Sequence, residues 1–131
     1  MITLADLINV KYKKDGTDYK TGLDCYALFN VVRREILGLR EIPNPTNNKA
    51  LEVVHALKNI NESAEVAHMV KTDTPKDGDF VRMIGAGGFP NHCGVYINGM
   101  IMHIDNSDNR GSRIDTIQAL DGRILDYWTD R

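Results

Sequence analysis

The chain has 131 residues, 42% hydrophobic and 26% charged, with 16 Lys and Arg against 18 Asp and Glu and a net charge of −2. That fits one globular domain able to bury a core without disulfides, and the balanced charge, lacking a basic stripe, speaks against a nucleic-acid binder. No apolar run approaches the roughly 20 residues of a membrane span, and two cysteines, Cys25 and Cys93, are too few for a disulfide framework.

Residues 3–10 carry Leu4, Leu7 and Ile8 behind Thr3, an N-cap residue, and predict a short amphipathic helix. Met1 to Val10 is too short and, with Asp6, too acidic for a signal peptide, so synthesis in the cytoplasm without a visible export signal is expected. Residues 12–23 are polar and contain Gly16 and Gly22, which predicts a loop. The basic cluster Lys11, Lys13, Lys14, followed by Asp15 and Asp18, reads as solvated. Asp24 then stands at an N-cap position, with Leu28, Val31, Val32 and Ile36 at helical spacing and Gly38 beyond them. This predicts a helix at about 25–37 with Cys25 in its first turn. Pro43-Asn44-Pro45 breaks the chain, and Leu51, Val54, Leu57 and Ile60 predict a helix at about 47–60. Residues 62–72 read equally as helix or strand. Pro75 to Asp79 is a turn. Strands follow at 79–84, 92–98 and 100–105, then a short helix at 115–120 and a last strand near 123–128. Helices first and strands later predict an α+β fold with an antiparallel sheet, in a single domain over 1–131.

Asn98-Gly99 between two apolar runs is the strongest short-range signal for a two-residue hairpin turn. Such a turn pairs Ile97 with Met100, Val95 with Met102, Gly94 with His103 and His92 with Asp105. Side chains alternate between faces. Cys93, Val95, Ile97, Met100, Met102 and Ile104 therefore share an apolar core face, and His92, Gly94, Tyr96, Ile101, His103 and Asp105 share the other. His92 and His103 become diagonal neighbours, roughly 7–8 Å apart along the backbone, and Gly94 leaves room opposite His103.

Two histidines and an acid on one face, with a cysteine at a helix start, suit thiol catalysis. A cysteine attacks carbonyls as the thiolate, and a helix N-terminus or a neighbouring imidazolium stabilises that form. Cys25 meets the first condition and, next to a loop, is expected to stay out of deep burial. Cys93 lies on the apolar face and reads as a small buried hydrophobe. His92 is then the candidate general base, with His103 or Asp105 orienting its ring. The backbone N–H of Cys25 is a candidate oxyanion donor. Asp24 opposes a thiolate by its charge while capping the helix. Other features carry less. Gly85-Ala86-Gly87-Gly88 lacks the partners of a phosphate loop and reads as a flexible rim. A zinc site from His92, Cys93 and His103 fails because Cys93 points to the opposite face. His55 and His68 read as surface or core residues, and Tyr127 and Trp128 as packing or partner residues.

Gly22-Leu23-Asp24-Cys25-Tyr26-Ala27-Leu28 resembles the nucleophile motif of NlpC/P60 peptidases. His92-Cys93-Gly94-Val95-Tyr96-Ile97 resembles their base motif, and His103 lies where the family places its third polar residue. Pro75 to Asp79 resembles the turn opening the first core strand, and Tyr12 stands where a tyrosine hydroxyl lines the site. Ala27 replaces a usual glycine, the Gly-Gly that usually follows the tyrosine is missing, and residues 39–74 carry no alignable motif. The resemblance implies a papain-like α+β fold with N-terminal helices on an antiparallel sheet. It implies a cysteine peptidase with Cys25, His92 and His103 catalytic, Tyr12, Asp24 and Asp105 toward the substrate, and neither metal nor cofactor. The implied reaction is cleavage of peptidoglycan stem peptides at a γ-D-glutamyl–diamino acid bond. Tyr26 directly after the cysteine resembles the phage tail-associated branch, which implies delivery by the virion and other tail proteins as partners. A structural tail-tip protein that keeps the fold, and a different thiol acyl-transfer enzyme on the same fold, an amidase or transferase, are the rival readings.

Overall fold

The computed structural model describes residues 2–42, 69–90, 92–105 and 110–130. The helix expected at about 47–60, His55 and His68 lie outside the described residues. Instead of a helix over 3–10, the chain makes a single 3-10 turn, Leu4–Leu7. The Asp6 carboxylate accepts the Thr3 N–H at 2.7 Å and closes that turn. The next residues leave it to bond β7 (Ser112–Thr116): Asn9 N–H donates to the Ser112 carbonyl at 2.8 Å, and Ser112 N–H to the Val10 carbonyl at 2.9 Å. The buried Ser112 hydroxyl accepts the Val10 N–H and donates to the Leu7 carbonyl.

Within the expected 12–23 loop, two short strands pair antiparallel, β1 (Thr17–Asp18) and β2 (Gly22–Leu23). α1 spans Cys25–Val31 and continues as a π-helical turn, Val32–Ile36. In that turn Leu37 N–H reaches the Val32 carbonyl at 3.1 Å. One face of α1 carries Leu28 and Phe29, both buried, against β5 (His92–Ile97) and β6 (Met100–Ile104). Phe29 meets Phe80 edge-on at 5.2 Å between ring centres.

The remaining strands are β3 (Met69–Thr72), β4 (Phe80–Met83) and β8 (Ile124–Asp130). Six strands form one antiparallel sheet in the order β3-β8-β4-β5-β6-β7. The described part of the ambiguous 62–72 segment is thus a strand. The short helix expected at 115–120 is not formed as such. Ser112–Thr116 is strand β7, and only Gln118–Leu120 turns, as a 3-10 turn. Ile114 and Thr116 are β-branched, and β7 satisfies its backbone groups on β6, otherwise a buried sheet edge. Among the described residues, no helix is long and apolar enough to cross a membrane.

The β5–β6 hairpin has the predicted register, with Ile97 opposite Met100, Val95 opposite Met102 and Gly94 opposite His103. Asn98 and Gly99 take φ of 52° and 76°, the left-handed pair that this turn requires. The apolar face lies under α1 as expected, except that Met100 at the hairpin tip is only half-buried. The opposite face is also covered. Leu120, Ile117, Ile124 and Tyr127 close a second cluster over Val81, Met83 and Ile101. Trp128 joins the main core, and Tyr127 packs on Tyr96 at 6.0 Å.

Gly94, opposite His103, leaves no room for a side chain of its own. A Cβ there would stand 2.8 Å from Ile101 Cγ2, 3.0 Å from the Met102 carbonyl oxygen and 3.2 Å from His103 Cβ. Backbone cannot yield as a flexible side chain would. Gly94→Ala is therefore expected to destabilise by about 1–3 kcal/mol, read as a lower urea midpoint with an unchanged m-value.

Candidate active site

α1 begins where the chain is pinned on both sides. Tyr12 forms a parallel bridge with Leu23: Leu23 N–H donates to the Lys11 carbonyl at 3.0 Å, and Lys13 N–H to the Leu23 carbonyl at 3.1 Å. Asp24 then caps the helix, its carboxylate accepting the Ala27 N–H at 2.7 Å. Cys25 is the first helical residue. It is more enclosed than its loop-side position suggests, at 8% exposure, because α1 packs directly on β5.

At the start of β5, consecutive residues reach Cys25 from two directions. The Cys25 thiol is held well below its usual range. Hydrogen bonding by Cys93 is the largest cause, burial opposes it, and the hydrogen bond and charge of His92 add to it. The Cys93 thiol is pushed up by the same contact and by burial, so in this pair Cys93 S–H is the donor and the Cys25 sulfur the acceptor. Both cysteines are free. Cys93 is buried in the main core as expected, but it also touches the sulfur at the helix start.

His92 uses its other ring nitrogen on the sheet. Nε2 lies 3.1 Å from His103 Nδ1 and 3.2 Å from Asp105 Oδ1. With Nε2 engaged there, Nδ1 is the nitrogen that remains for Cys25. The question of which group holds the ring, His103 or Asp105, resolves to both. His103 is fully buried and bonds Asp115 Oδ2 through Nε2 at 2.7 Å. Burial, outweighing the Asp115 bond, pulls His103 down to about 4, so it is neutral at pH 7. Asp105 is 6% exposed and accepts from Arg113 at 2.7 Å and Arg123 at 3.1 Å. Burial alone would raise its carboxyl, but the charges of His92 and Arg123 and the Arg113 bond bring it down to about 2.

The structure thus brings Cys25, His92, His103 and Asp105 together and sets Tyr12 and Asp24 on the chain leading into Cys25. Asp24 and Asp105, expected toward the substrate, bond internal partners through their carboxylates. Ligand-type atoms of His92, His103 and Asp105 lie within 4.8 Å of one another, a spacing compatible with a divalent cation. The donor set argues otherwise. Both Asp105 oxygens carry guanidinium hydrogen bonds, and the facing histidine nitrogens bond each other. Sequence reasoning missed Arg113, Asp115 and Arg123. The signal for the first two was the β7 register: Arg113 is opposite His103, which makes Asp115 a diagonal neighbour.

The NlpC/P60 family model matches residues 9–129, from ahead of the Cys25 helix into the last strand. No curated protein matches the chain.

The site sets a testable acid profile. Burial raises Asp24 from 3.8 to about 6, so the folded protein takes up that proton before the unfolded chain does. The cost of the ionised carboxylate is complete above about 6 and fades as pH falls to 3.8. Asn caps a helix as well as Asp does. Asp24→Asn is expected to raise the unfolding free energy from urea titration at pH 7.5, by up to about 3 kcal/mol at 1.36 kcal/mol per unit, with the gain vanishing near pH 4. Asp105 works in the opposite sense: its contribution is present above 3.8 and lost as pH falls toward about 2. An Asp105→Asn variant is expected to be less stable at pH 7 and to lose this acid dependence in the same titration.

Proposed function

Because the chain belongs to the NlpC/P60 family, whose members are generally cysteine peptidases of the cell wall, we propose that it is a thiol peptidase cutting peptidoglycan stem peptides. The observation that carries this reading is His92, with Nε2 tied to His103 and Asp105 and its ring hydrogen-bonded to a Cys25 thiol that is drawn well below its usual range. That is the arrangement of an activated nucleophile with an oriented base.

In this mechanism the Cys25 thiolate attacks the scissile carbonyl carbon. Backbone N–H groups of the first α1 turn, which have no partner within a helix, receive the oxyanion, that of Cys25 among them. The His92 imidazolium gives its Nδ1 proton to the leaving amine, and the C–N bond breaks. Neutral His92 then takes a proton from water, whose oxygen attacks the thioester and releases the acid, restoring Cys25. Asp105 faces the charge on His92 and is already ionised, so it stabilises the imidazolium without taking its proton. Tyr12, fixed beside Leu23, is assigned to the substrate side.

The bond cut is proposed to join γ-D-glutamate to the diamino acid, and the enzyme to be of the phage tail-associated type, acting in the host envelope. Tyr26 supports the second point, since an aromatic follows the nucleophile. It packs on Phe29 and Phe80, and its hydroxyl donates to the Ile42 carbonyl at 3.0 Å.

Purified protein is expected to release stem-peptide fragments from muropeptides, identified by mass spectrometry, and Cys25→Ala or His92→Ala to lose at least about 10³-fold in kcat. Wild-type protein without activity, yet found at a defined place in purified tails, would transfer the assignment to the structural tail-tip reading. The rate should follow a bell-shaped pH curve set by the Cys25–His92 pair. A flat profile from pH 5 to 9 would contradict that pairing.

A further inference from the structure

Asp115 is not needed for the chemistry just described, yet it touches the only buried histidine pair among the described residues. Its Oδ2 lies 2.7 Å from His103 Nε2 and 3.1 Å from Arg113 Nε. Arg113 Nη2 also holds Asp105 at 2.7 Å, so one guanidinium clamps both carboxylates that flank the pair. We propose that Asp115 is a positioning residue that keeps the His103 proton on Nε2 and so, together with Asp105, sets the tautomer of His92.

The geometry leaves little freedom. A carboxylate only accepts, so the nitrogen facing it carries the proton. His103 is neutral, as its burial requires, and its Nδ1 is therefore a lone pair. That lone pair faces His92 Nε2 at 3.1 Å, where one nitrogen must donate and the other accept. His92 Nε2 therefore donates, toward the His103 lone pair and toward Asp105 Oδ1 at 3.2 Å, in the neutral ring and the imidazolium alike, which leaves Nδ1 as the nitrogen that gives and takes the catalytic proton. Reversing the tautomer of His103 would set its Nδ1–H against the Nε2–H that Asp105 also accepts, and so favour the other His92 tautomer, which has no base facing Cys25. The charged groups facing the pair are Asp105 after β6, Arg113 and Asp115 on β7, and Arg123 ahead of β8. Of these, Asp115 is the one bonded to the outer nitrogen of His103.

This rests on the peptidase reading for its effect on rate, but the tautomer itself does not. The test uses full-length protein with ring-¹⁵N histidine. Long-range ¹H–¹⁵N spectra at pH 7 report which ring nitrogen is protonated. Iodoacetamide alkylation of Cys25 across pH and kcat and KM on muropeptides complete the set. Wild-type His103 is expected to be neutral with its proton on Nε2. In Asp115→Asn a second tautomer of His103 should appear and the pH profile of alkylation should shift. The kcat should fall about 10- to 100-fold with KM unchanged, taking the scale from the loss of an outer hydrogen-bond partner of metal-bound histidines. Asp115→Glu should recover most of the loss. Wild-type His103 protonated on Nδ1, or on both nitrogens, overturns the proposal even if the variant does not fold. So does an Asp115→Asn variant with unaltered tautomer and alkylation profile. Changed tautomer and alkylation in a protein without peptidase activity would uphold Asp115 and overturn the peptidase reading instead.

Discussion

The commitment of His92 Nε2 to the sheet, 3.1 Å from His103 Nδ1 and 3.2 Å from Asp105 Oδ1, decides which end of His92 meets the cysteine. Both rings are buried, at 5% and 0% exposure, so water cannot substitute for the missing partner of either nitrogen. Once Nε2 is committed to the sheet, Cys25 has to approach from the Nδ1 side, where α1 begins. The helix, the hairpin and the third strand of that region all serve this one contact. β5 and β6 supply the two rings, β7 supplies the acid behind them, and α1 brings the sulfur.

The electrostatics of the site combine a reactive sulfur with a cost. Cys93 and His92 draw the Cys25 sulfur toward the thiolate, while Asp24, one residue away, repels it. Asp24 stays because its carboxylate closes the first turn of α1, at a bond of 2.7 Å to Ala27 N–H. Capping contributes about 1 kcal/mol, against which stands the cost of a carboxylate pushed up to about 6 by burial. The stronger arrangement is the opposite one, around Asp105. There Arg113, Arg123 and His92 overcome burial and keep the carboxylate charged. A fixed negative charge behind the imidazole stabilises the imidazolium that forms during acyl transfer.

Legibility from sequence followed the range of the signal. The Asn98-Gly99 turn and a period of two were enough to pair Gly94 with His103 and to put His92, His103 and Asp105 on one face, because hairpin register is local. The start of α1 was legible from Asp24 for the same reason. The short helix expected at 115–120 overlaps the end of Ser112–Thr116, the strand that pairs with β6, and only Gln118–Leu120 turns. Asp115 was missed with it. The 3–10 segment kept only one helical turn because residues 9 and 10 find better hydrogen bonds on Ser112. No pattern within ten residues announces a partner so far along the chain.

The sequence by itself determined the local parts: a capped cysteine at a helix start, a two-residue hairpin and the faces its residues occupy. These depend on backbone conformations of a few adjacent residues, and residue type fixes such conformations. Tertiary structure alone decided what those parts mean to one another. It decided that Cys93 touches Cys25 as well as filling the core, that the histidine face is closed over by the chain after β7, and that Arg113 and Arg123 converge on Asp105. Those contacts join residues distant along the chain. They follow from which elements bury each other's apolar surface, a property of the whole packed sheet and helix that no single segment carries.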